Sequence, residues 1–385
     1  MTDWSITMTN CYICGHALDQ ENQTKEHIFP NAIGGHLMSK ELICQKCNSD
    51  FGDNIDTSLA EQFNIISSLL NIKRDRGTPQ PFKAIDSQND TGYIVKPGGE
   101  ILLQKPDIKQ DGNHYTIKVN DEKQAHQVLN GLKRKHPEID VDAILQDCHL
   151  EKEYMDNPLT IHFTLGGEDT FRSLCKTAIN FYLYKGGNRK NIIHLIPYIQ
   201  GEKNVLDIIS PFYLNSPPIP TKDEEILHSI IIRGDSVEKM LIAYIELFDF
   251  YKVIILLSDT YEDENIEYSY FYDVLSRKVV HREYELNILK DDVKYSLAHN
   301  TPYAEIYKRM QPYLNTVIKK SLNLQIKEHI GDLLDKAIEN FRRKTEGTNL
   351  TESDKHKLLV DETMNQLTPW ILHTFGEQNG NHFDH

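Results

Sequence analysis

The sequence predicts an α+β protein that begins with a small metal-binding finger, continues as a mixed α/β region and ends in helices. Two C-x-x-C pairs within the first 47 residues predict the finger. Strand-like runs that alternate with helical ones predict the mixed region, and a sustained helical pattern from residue 302 predicts the helical end. At roughly 100–200 residues per domain, a chain of 385 residues has room for two or three domains. We expect them at residues 1–76, 82–300 and 301–385.

The composition argues against several classes of protein. The chain has 42 basic and 57 acidic residues, and its net charge of −15 argues against a protein that coats nucleic acid through bulk electrostatics. Its 19 Tyr and 14 Phe argue against wholesale disorder. No apolar run approaches the roughly 18 residues of a spanning helix, so we expect no membrane insertion. The first ten residues lack the basic and apolar regions of a secretory signal, which favours a cytoplasmic protein.

Cysteine spacing is the strongest local signal. Four of the six cysteines form two C-x-x-C pairs, Cys11 with Cys14 and Cys44 with Cys47. Two such pairs in a chain without a signal peptide are typical of a structural zinc ion held by four thiolates. The competing interpretation is two coincidental pairs in a reduced cytosol. The remaining two, Cys148 and Cys175, are expected to be buried as small apolar residues.

Hydrophobic spacing predicts the main elements after the finger. We expect helices over residues 56–72, 122–135 and 169–185, and residues 236–250 are a further helix candidate. Strand-like runs lie near residues 92–95, 101–103, 115–119, 204–210, 228–233, 252–258 and 266–281. After residue 302 we expect a long helix, a second helix from about Thr351, and a frayed tail over residues 378–385.

The stretch between the cysteine pairs carries residues suited to chemistry. Glu26 offers a carboxylate, His27 an imidazole, and Asn48, directly after the fourth cysteine, a carboxamide. Metal-assisted hydrolysis of a phosphodiester needs a base to deprotonate water and a hard cation to neutralise developing charge. A neutral His suits the base, and oxygen ligands such as Glu and Asn suit Mg²⁺ or Mn²⁺. An ordinary exposed Glu-His pair is the competing interpretation.

This order of residues resembles the HNH endonuclease family, most closely its zinc-stapled members with the motif D/E-H-I-x-P. The resemblance covers residues 8–56 and rests on Cys11-x2-Cys14, Glu26-His27-Ile28-x-Pro30, Gly34-Gly35 and Leu42-x-Cys44-x2-Cys47-Asn48. It implies a ββα-metal finger, in which a hairpin and a helix grip one divalent cation. It also implies that His27 is the general base, that Glu26 and Asn48 are metal ligands, and that the two glycines form the turn of the hairpin.

Two assignments within this resemblance stay open. The family's middle Asn, which braces the loop of the base, is replaced here by Ser39, so either Ser39 or Asn31 is left to brace His27. Asn48 has a second candidate role as the N-cap of a helix beginning near Ser49. Basic residues that could contact phosphates flanking the cut, or simply form a solvated surface, are Lys40, Lys46, Lys73, Arg74, Arg76, residues 133–135, Arg189 and Lys190.

The resemblance implies a metal-dependent endonuclease that hydrolyses DNA, with RNA as the second substrate class. Over three hundred residues follow the finger without a motif of their own, and we interpret them as a region that senses a ligand or binds a protein partner, with a homo-oligomer left open. Family members with large extra domains are often effectors of bacterial antiphage defence, which the resemblance therefore implies here. The competing classes are a non-catalytic zinc module that binds nucleic acid or protein, and a structural scaffold.

Overall fold

A computed structural model describes residues 10–112, 114–147, 154–155, 157–162, 164–202, 208–298 and 301–376 of the chain. The architecture is mixed α/β with a helical C-terminus, as the sequence predicts. Among these residues, no helix is both long enough and apolar enough to cross a membrane.

The elements are numbered in chain order. The strands are β1 (Glu26–His27), β2 (Met38–Ser39), β3 (Phe82–Asp86), β4 (Gly92–Val95), β5 (Ile101–Leu103), β6 (Asp107–Asp111), β7 (His114–Lys118), β8 (Leu159–Thr160), β9 (Ile209–Pro211), β10 (Leu227–Asp235), β11 (Met240–Leu247), β12 (Tyr251–Ser258), β13 (Ile266–Asp273) and β14 (Lys278–Val280). The helices are α1 (Gln45–Phe51), α2 (Thr57–Gln62), α3 (Asn64–Leu69), α4 (Glu122–Lys133), α5 (Val141–Asp147), α6 (Glu168–Tyr184), α7 (Ile196–Ile199), α8 (Lys290–Leu297), α9 (Tyr303–Thr345) and α10 (Glu352–Gly376).

The chain divides into two compact units. The first unit comprises residues 1–82 and 163–321, and the second comprises residues 83–162 and 322–385. Each unit is therefore built from two separate stretches of sequence. The finger segment therefore shares its unit with residues far along the chain.

A six-stranded antiparallel sheet organises the first unit, with the strand order β14-β13-β10-β11-β12-β9. Its central strands are rich in Ile, Leu and Tyr and are buried on both faces, which is why they read as continuous apolar runs. One face packs on α8 through a cluster that includes Tyr244, Ile254, Phe271, Val293 and Leu297.

The opposite face of this sheet carries the finger and α6. The Phe29 ring stacks on His228 of β10 and on Tyr270 of β13, with centroid distances of 5.3 and 6.4 Å. Phe181 of α6 meets the same Tyr270 ring at 6.2 Å. The finger is therefore seated on the sheet beside α6, and its core is continuous with that of the first unit.

The finger has the ββα order that the sequence predicts. β1 and β2 pair antiparallel, with Glu26 opposite Ser39, and α1 follows directly after Cys44. Gly34 has a φ of +92°, which favours glycine. A Cβ on Gly35 would lie 1.8 Å from the Phe29 carbonyl oxygen, so no other residue fits there. The two glycines thus allow the tight turn of the hairpin.

The second unit has its own sheet, β5-β4-β3-β8, and a separate β6-β7 hairpin. The Asp121 side chain accepts a hydrogen bond from the Gln124 backbone amide at 2.7 Å and so caps α4. Tyr154 donates to or accepts from His329 Nε2 at 3.0 Å and stacks on His373, which ties a connecting segment to α9 and α10.

Most predicted elements are confirmed, with one clear error. The helices predicted over 122–135 and 169–185 are α4 and α6, and the helix predicted over 56–72 is present as α2 and α3. The helix candidate at 236–250 is wrong, because these residues form β11 and its flanking turns. Residues 204–207 of the strand-like run at 204–210, Cys148 and the tail over 378–385 lie outside the described residues, whereas Cys175 is fully buried as expected.

Candidate functional site

The four predicted cysteine ligands come together at the base of the finger. The sulfur atoms of Cys11, Cys14, Cys44 and Cys47 all lie within 4.8 Å of one another, and those of Cys14 and Cys44 are 3.8 Å apart. A tetrahedral zinc ion with bonds of about 2.3 Å sets its sulfur ligands about 3.8 Å apart. Among the described residues, this is the one such group of three or more His, Cys, Asp or Glu side chains.

The electrostatics of the four thiols also fit a metal ion. Burial, together with the neighbouring thiols, raises the pKa of Cys14 and of Cys47. The pKa of Cys44 is lowered despite burial, because hydrogen bonds from the backbone and side chain of Cys47 and from other thiols favour its thiolate. Four crowded sulfurs resist ionising together without a cation between them. The cluster is therefore suited to hold one metal ion such as zinc.

Glu26 and His27 are adjacent on β1, and their side chains point to opposite sides of that strand. Glu26 is 2% exposed and faces α6. His27 is partly exposed, with 22% of its side chain accessible, and faces the segment that follows α3. The two side chains therefore occupy different environments although they are neighbours in sequence.

Glu26 lies in a buried polar network with α6. Its Oε1 accepts hydrogen bonds from Lys176 Nζ at 2.7 Å and from Asn180 Nδ2 at 2.8 Å. The same ammonium donates to Asp56 Oδ2 at 2.6 Å, and Ser173 donates to the other oxygen of Asp56. The Asn180 amide oxygen accepts from the Tyr12 hydroxyl, so further polar atoms of this network are paired.

Lys176 is charged despite its burial. Burial by itself lowers the pKa of a lysine, but the carboxylates of Asp56 and Glu26 outweigh it and hold the pKa of Lys176 above its usual value. The ammonium also lies 5.5 Å from the centroid of the Phe51 ring. The ammonium group of Lys176 is thus the positively charged partner of Glu26 in this structure. The family resemblance instead implies that Glu26 binds a metal cation.

His27 faces a second, more exposed cluster. Its Nε2 lies 3.4 Å from Asp75 Oδ2, and Arg277 donates to Asp75 Oδ1 at 2.8 Å. His36 Nδ1 is 3.9 Å from the same Oδ1, and the His36 ring stacks on Tyr272. This cluster joins the hairpin, the segment after α3 and the β13-β14 turn at the surface of the first unit.

The two bracing candidates have other partners. Ser39 Oγ accepts a hydrogen bond from the Glu41 backbone amide at 3.1 Å, within its own turn. Asn31 Oδ1 accepts from the backbone amide of Asp75 at 2.9 Å. Asn31 therefore holds the backbone of the segment that carries Asp75. The side chain that contacts His27 is that of Asp75 and not that of Ser39.

Asn48 lies within α1 and not at its N-terminus. Cys44 is the N-cap of this helix, so the interpretation of Asn48 as an N-cap near Ser49 is wrong. Asn48 Nδ2 donates to Thr24 Oγ1 at 3.1 Å, just before β1. Within the described part of the chain, no hydrogen bond links Asn48 to Glu26 or His27.

Four functional candidates escaped sequence reasoning. Lys176 and Asn180 sit in α6, where nearly every residue from 173 to 182 is buried, and Asp75 and Arg277 lie in polar turns. A lysine inside a buried helix is unusual, since lysines are almost never fully buried unless paired. That signal could have identified Lys176 as paired, but not its partner.

Arg189, one of the basic residues that could contact phosphates, donates two hydrogen bonds to the Tyr12 carbonyl oxygen, which is a structural role.

The fold and the site define a ββα finger with a four-cysteine cluster that could hold a metal ion. Residues 11–64 match the family model described as HNH endonuclease, a family of nucleases that act on nucleic acids. The match includes the four cysteines, Glu26, His27 and Asn48. No curated protein and no solved structure matches the chain.

Proposed function

We propose that this protein is a metal-dependent endonuclease that hydrolyses phosphodiester bonds in DNA, with His27 as its general base. The observation that carries the proposal is the position of His27. It lies on the hairpin of an HNH domain, is partly exposed, and its Nε2 is near a carboxylate. A neutral imidazole in that setting is suited to take a proton from the water that attacks phosphorus.

The metal assignments follow from the chemistry of the ligands. Cys11, Cys14, Cys44 and Cys47 would hold structural Zn²⁺, for which four thiolates are a common ligand set. Glu26 and Asn48 would hold Mg²⁺ or Mn²⁺, which prefers oxygen ligands and, when bound, would neutralise charge on the reacting phosphate. Asn48 supports this assignment because its Oδ1 makes no hydrogen bond within the described residues. For Glu26 to act as the second ligand, its carboxylate must exchange the ammonium of Lys176 for the metal cation.

Substrate binding is supported by exposed basic residues near the finger. Lys40, Lys46 and Lys73 are all exposed on the unit that contains His27. Lysines at the surface bind phosphates without reading sequence. DNA is favoured over RNA by the family resemblance alone.

The residues that follow the finger favour a regulated enzyme. Lys176 and Asn180 lie outside the matched segment, yet they hold Glu26, so a change in α6 would reach the finger directly. We propose that an activating ligand, a protein partner or a second copy of the chain acts through this connection. The role as an effector of bacterial antiphage defence rests on the family resemblance.

The test is cleavage of supercoiled plasmid by the full-length protein with Mg²⁺, with Mn²⁺ and with a chelator. We expect metal-dependent nicking that His27→Ala lowers by about 10²–10⁴-fold, the usual contribution of a general base. The matched control is His16→Ala, since His16 is exposed in the same finger, and it should cleave like the wild type. Equal cleavage by His27→Ala, in protein that retains its fold and its metal, would overturn the proposal.

A non-catalytic zinc module is the second candidate, and one observation favours it. Glu26, the expected metal ligand, is paired with Lys176, and the two side chains are 3% and 1% exposed. A finger whose carboxylate stays in this pair would still bind nucleic acid or protein through its surface. This function predicts retained DNA binding by wild type and His27→Ala alike, with no cleavage by either under any metal.

A further inference from the structure

Asp75 contacts the imidazole ring of His27, and it lies outside the segment that matches the HNH family. Its Oδ2 is 3.4 Å from His27 Nε2. Both side chains are partly exposed, at 22% for His27 and 32% for Asp75. The contact is therefore open to solvent on one side, as a group that meets a substrate must be.

Asp75 is held in place from several directions. Its backbone amide donates to Asn31 Oδ1 at 2.9 Å, and its Oδ1 accepts from Arg277 at 2.8 Å. Three residues earlier, Ile72 is buried against Gly34, where even a Cβ would come within 2.7 Å of Ile72 Cγ2. The segment that carries Asp75 is thus fixed against the turn of the hairpin whose first strand carries His27.

This contact decides which ring nitrogen of His27 carries the proton. Burial is the largest single effect and raises the pKa of Asp75, but the hydrogen bond from His27 and the charges of His27, His36 and Arg277 together outweigh it, so the pKa is lowered. An ionised carboxylate can only accept hydrogen bonds, so Nε2 must donate. A neutral ring then has its lone pair on Nδ1, which makes no hydrogen bond within the described residues.

We propose that Asp75 is a positioning residue for the reaction: it fixes His27 in the Nε2–H tautomer and leaves Nδ1 to accept the proton of the attacking water. This inference rests on the proposed function of His27. It assigns to Asp75 the bracing role for which the sequence left either Ser39 or Asn31, with Asn31 and Arg277 holding Asp75 in turn. A site-positioning group would then come from outside the HNH segment.

The experiment compares full-length wild type with Asp75→Asn, Asp75→Ala and Asp75→Glu in plasmid nicking and in ¹⁵N NMR of the histidine rings. We expect Asp75→Asn and Asp75→Ala to lower kcat by about 10- to 100-fold, part of the contribution of a general base, with KM unchanged. Asp75→Glu should recover part of kcat. At about pH 8, where an ordinary histidine is neutral, the ring nitrogen shifts of His27 should show Nε2–H in wild type and a tautomer mixture in Asp75→Ala.

The matched control is Asp169→Asn, which removes another surface carboxylate paired with an arginine, at 3.0 Å from Arg172. It should change neither kcat nor the His27 shifts. Wild-type kcat in Asp75→Asn and Asp75→Ala overturns the proposal, and so does a lower kcat with unchanged His27 shifts, which marks a general structural loss. If the proposed function itself is wrong, wild type shows no cleavage or His27→Ala cleaves normally, which separates that failure from a failure of Asp75 alone.

Discussion

The carboxylate of Glu26 is bound by the ammonium of Lys176, a residue 150 positions further along the chain, at 2.7 Å. Both side chains are nearly inaccessible, at 3% and 1%. Removing one partner of such a buried pair leaves an uncompensated charge, which typically costs about 3–5 kcal/mol. The finger and α6 are therefore coupled energetically at Glu26, the residue that we propose as a metal ligand.

This coupling predicts the behaviour of Lys176→Met. Methionine has a similar length and no charge, so the buried carboxylate of Glu26 and the partly buried carboxylate of Asp56 would lose the cation that they share. We expect the free energy of unfolding to fall by about 3–5 kcal/mol at neutral pH, measured by urea denaturation without divalent ions. Mg²⁺ should then stabilise the variant more than the wild type, because the vacated position between two carboxylates suits a hard cation.

Another buried lysine of the same unit provides the control for this prediction. Lys252 pairs with Glu246 at 2.8 Å, and their side chains are 3% and 2% exposed. Lys252→Met should lose stability by a similar amount without responding to Mg²⁺. The double variant Glu26→Gln/Lys176→Met should also lose the response. A Mg²⁺ effect of equal size in Lys252→Met would mean that the ion acts elsewhere.

The sequence was most informative where local spacing determines structure. The two C-x-x-C pairs predict the metal cluster, because each pair sets two sulfurs one turn apart whatever the rest of the chain does. The amphipathic pattern of α6 predicts a helix for the same local reason. β11 could not be identified, since it is buried at every position and a short continuous apolar run fits a buried helix equally well.

From the sequence, the site could be predicted only for residues that lie within the finger. Glu26 and His27 were found because they are adjacent and lie inside the cysteine frame. Their partners Lys176 and Asp75 depend on how the finger is seated on the sheet, and no periodicity encodes a contact between residues 26 and 176. The same holds for Arg277, whose role follows from a turn between β13 and β14.

The proposed zinc site at the cysteine cluster gives a second prediction. In wild type we expect about one zinc ion per chain, as in a four-thiolate site. Cys47→Ser leaves three sulfur ligands, so its zinc content should fall below detection in elemental analysis. The finger should unfold, because a structural zinc ion contributes directly to the free energy of folding. Cys175→Ala is the control, since Cys175 is buried but outside the cluster, and it should keep its zinc. Full zinc content in Cys47→Ser would contradict the assignment.

His228 predicts how the seating of the finger depends on pH. It is fully buried, its Nε2 donates to the Ile33 carbonyl oxygen at 2.8 Å, and its Nδ1 accepts from the Phe248 amide at 3.2 Å. Burial lowers the pKa of His228 to about 4, although the bond to Ile33 opposes the shift. The neutral ring therefore joins the hairpin turn to β10 and to the β11-β12 turn.

The direction of the pH effect follows from proton binding in the two states. In the unfolded chain a histidine takes up its proton near pH 6.5, whereas folded His228 does so only near pH 4. The unfolded state thus binds more protons between these values, so the stability present above pH 6.5 is lost as the pH falls toward 4, by up to about 3 kcal/mol. Urea midpoints measured across this range should fall in wild type and fall less in His228→Gln, because glutamine does not titrate. His16→Gln, at an exposed position of the finger, should follow the wild type, and an equal slope in His228→Gln would show that other groups cause the acid sensitivity.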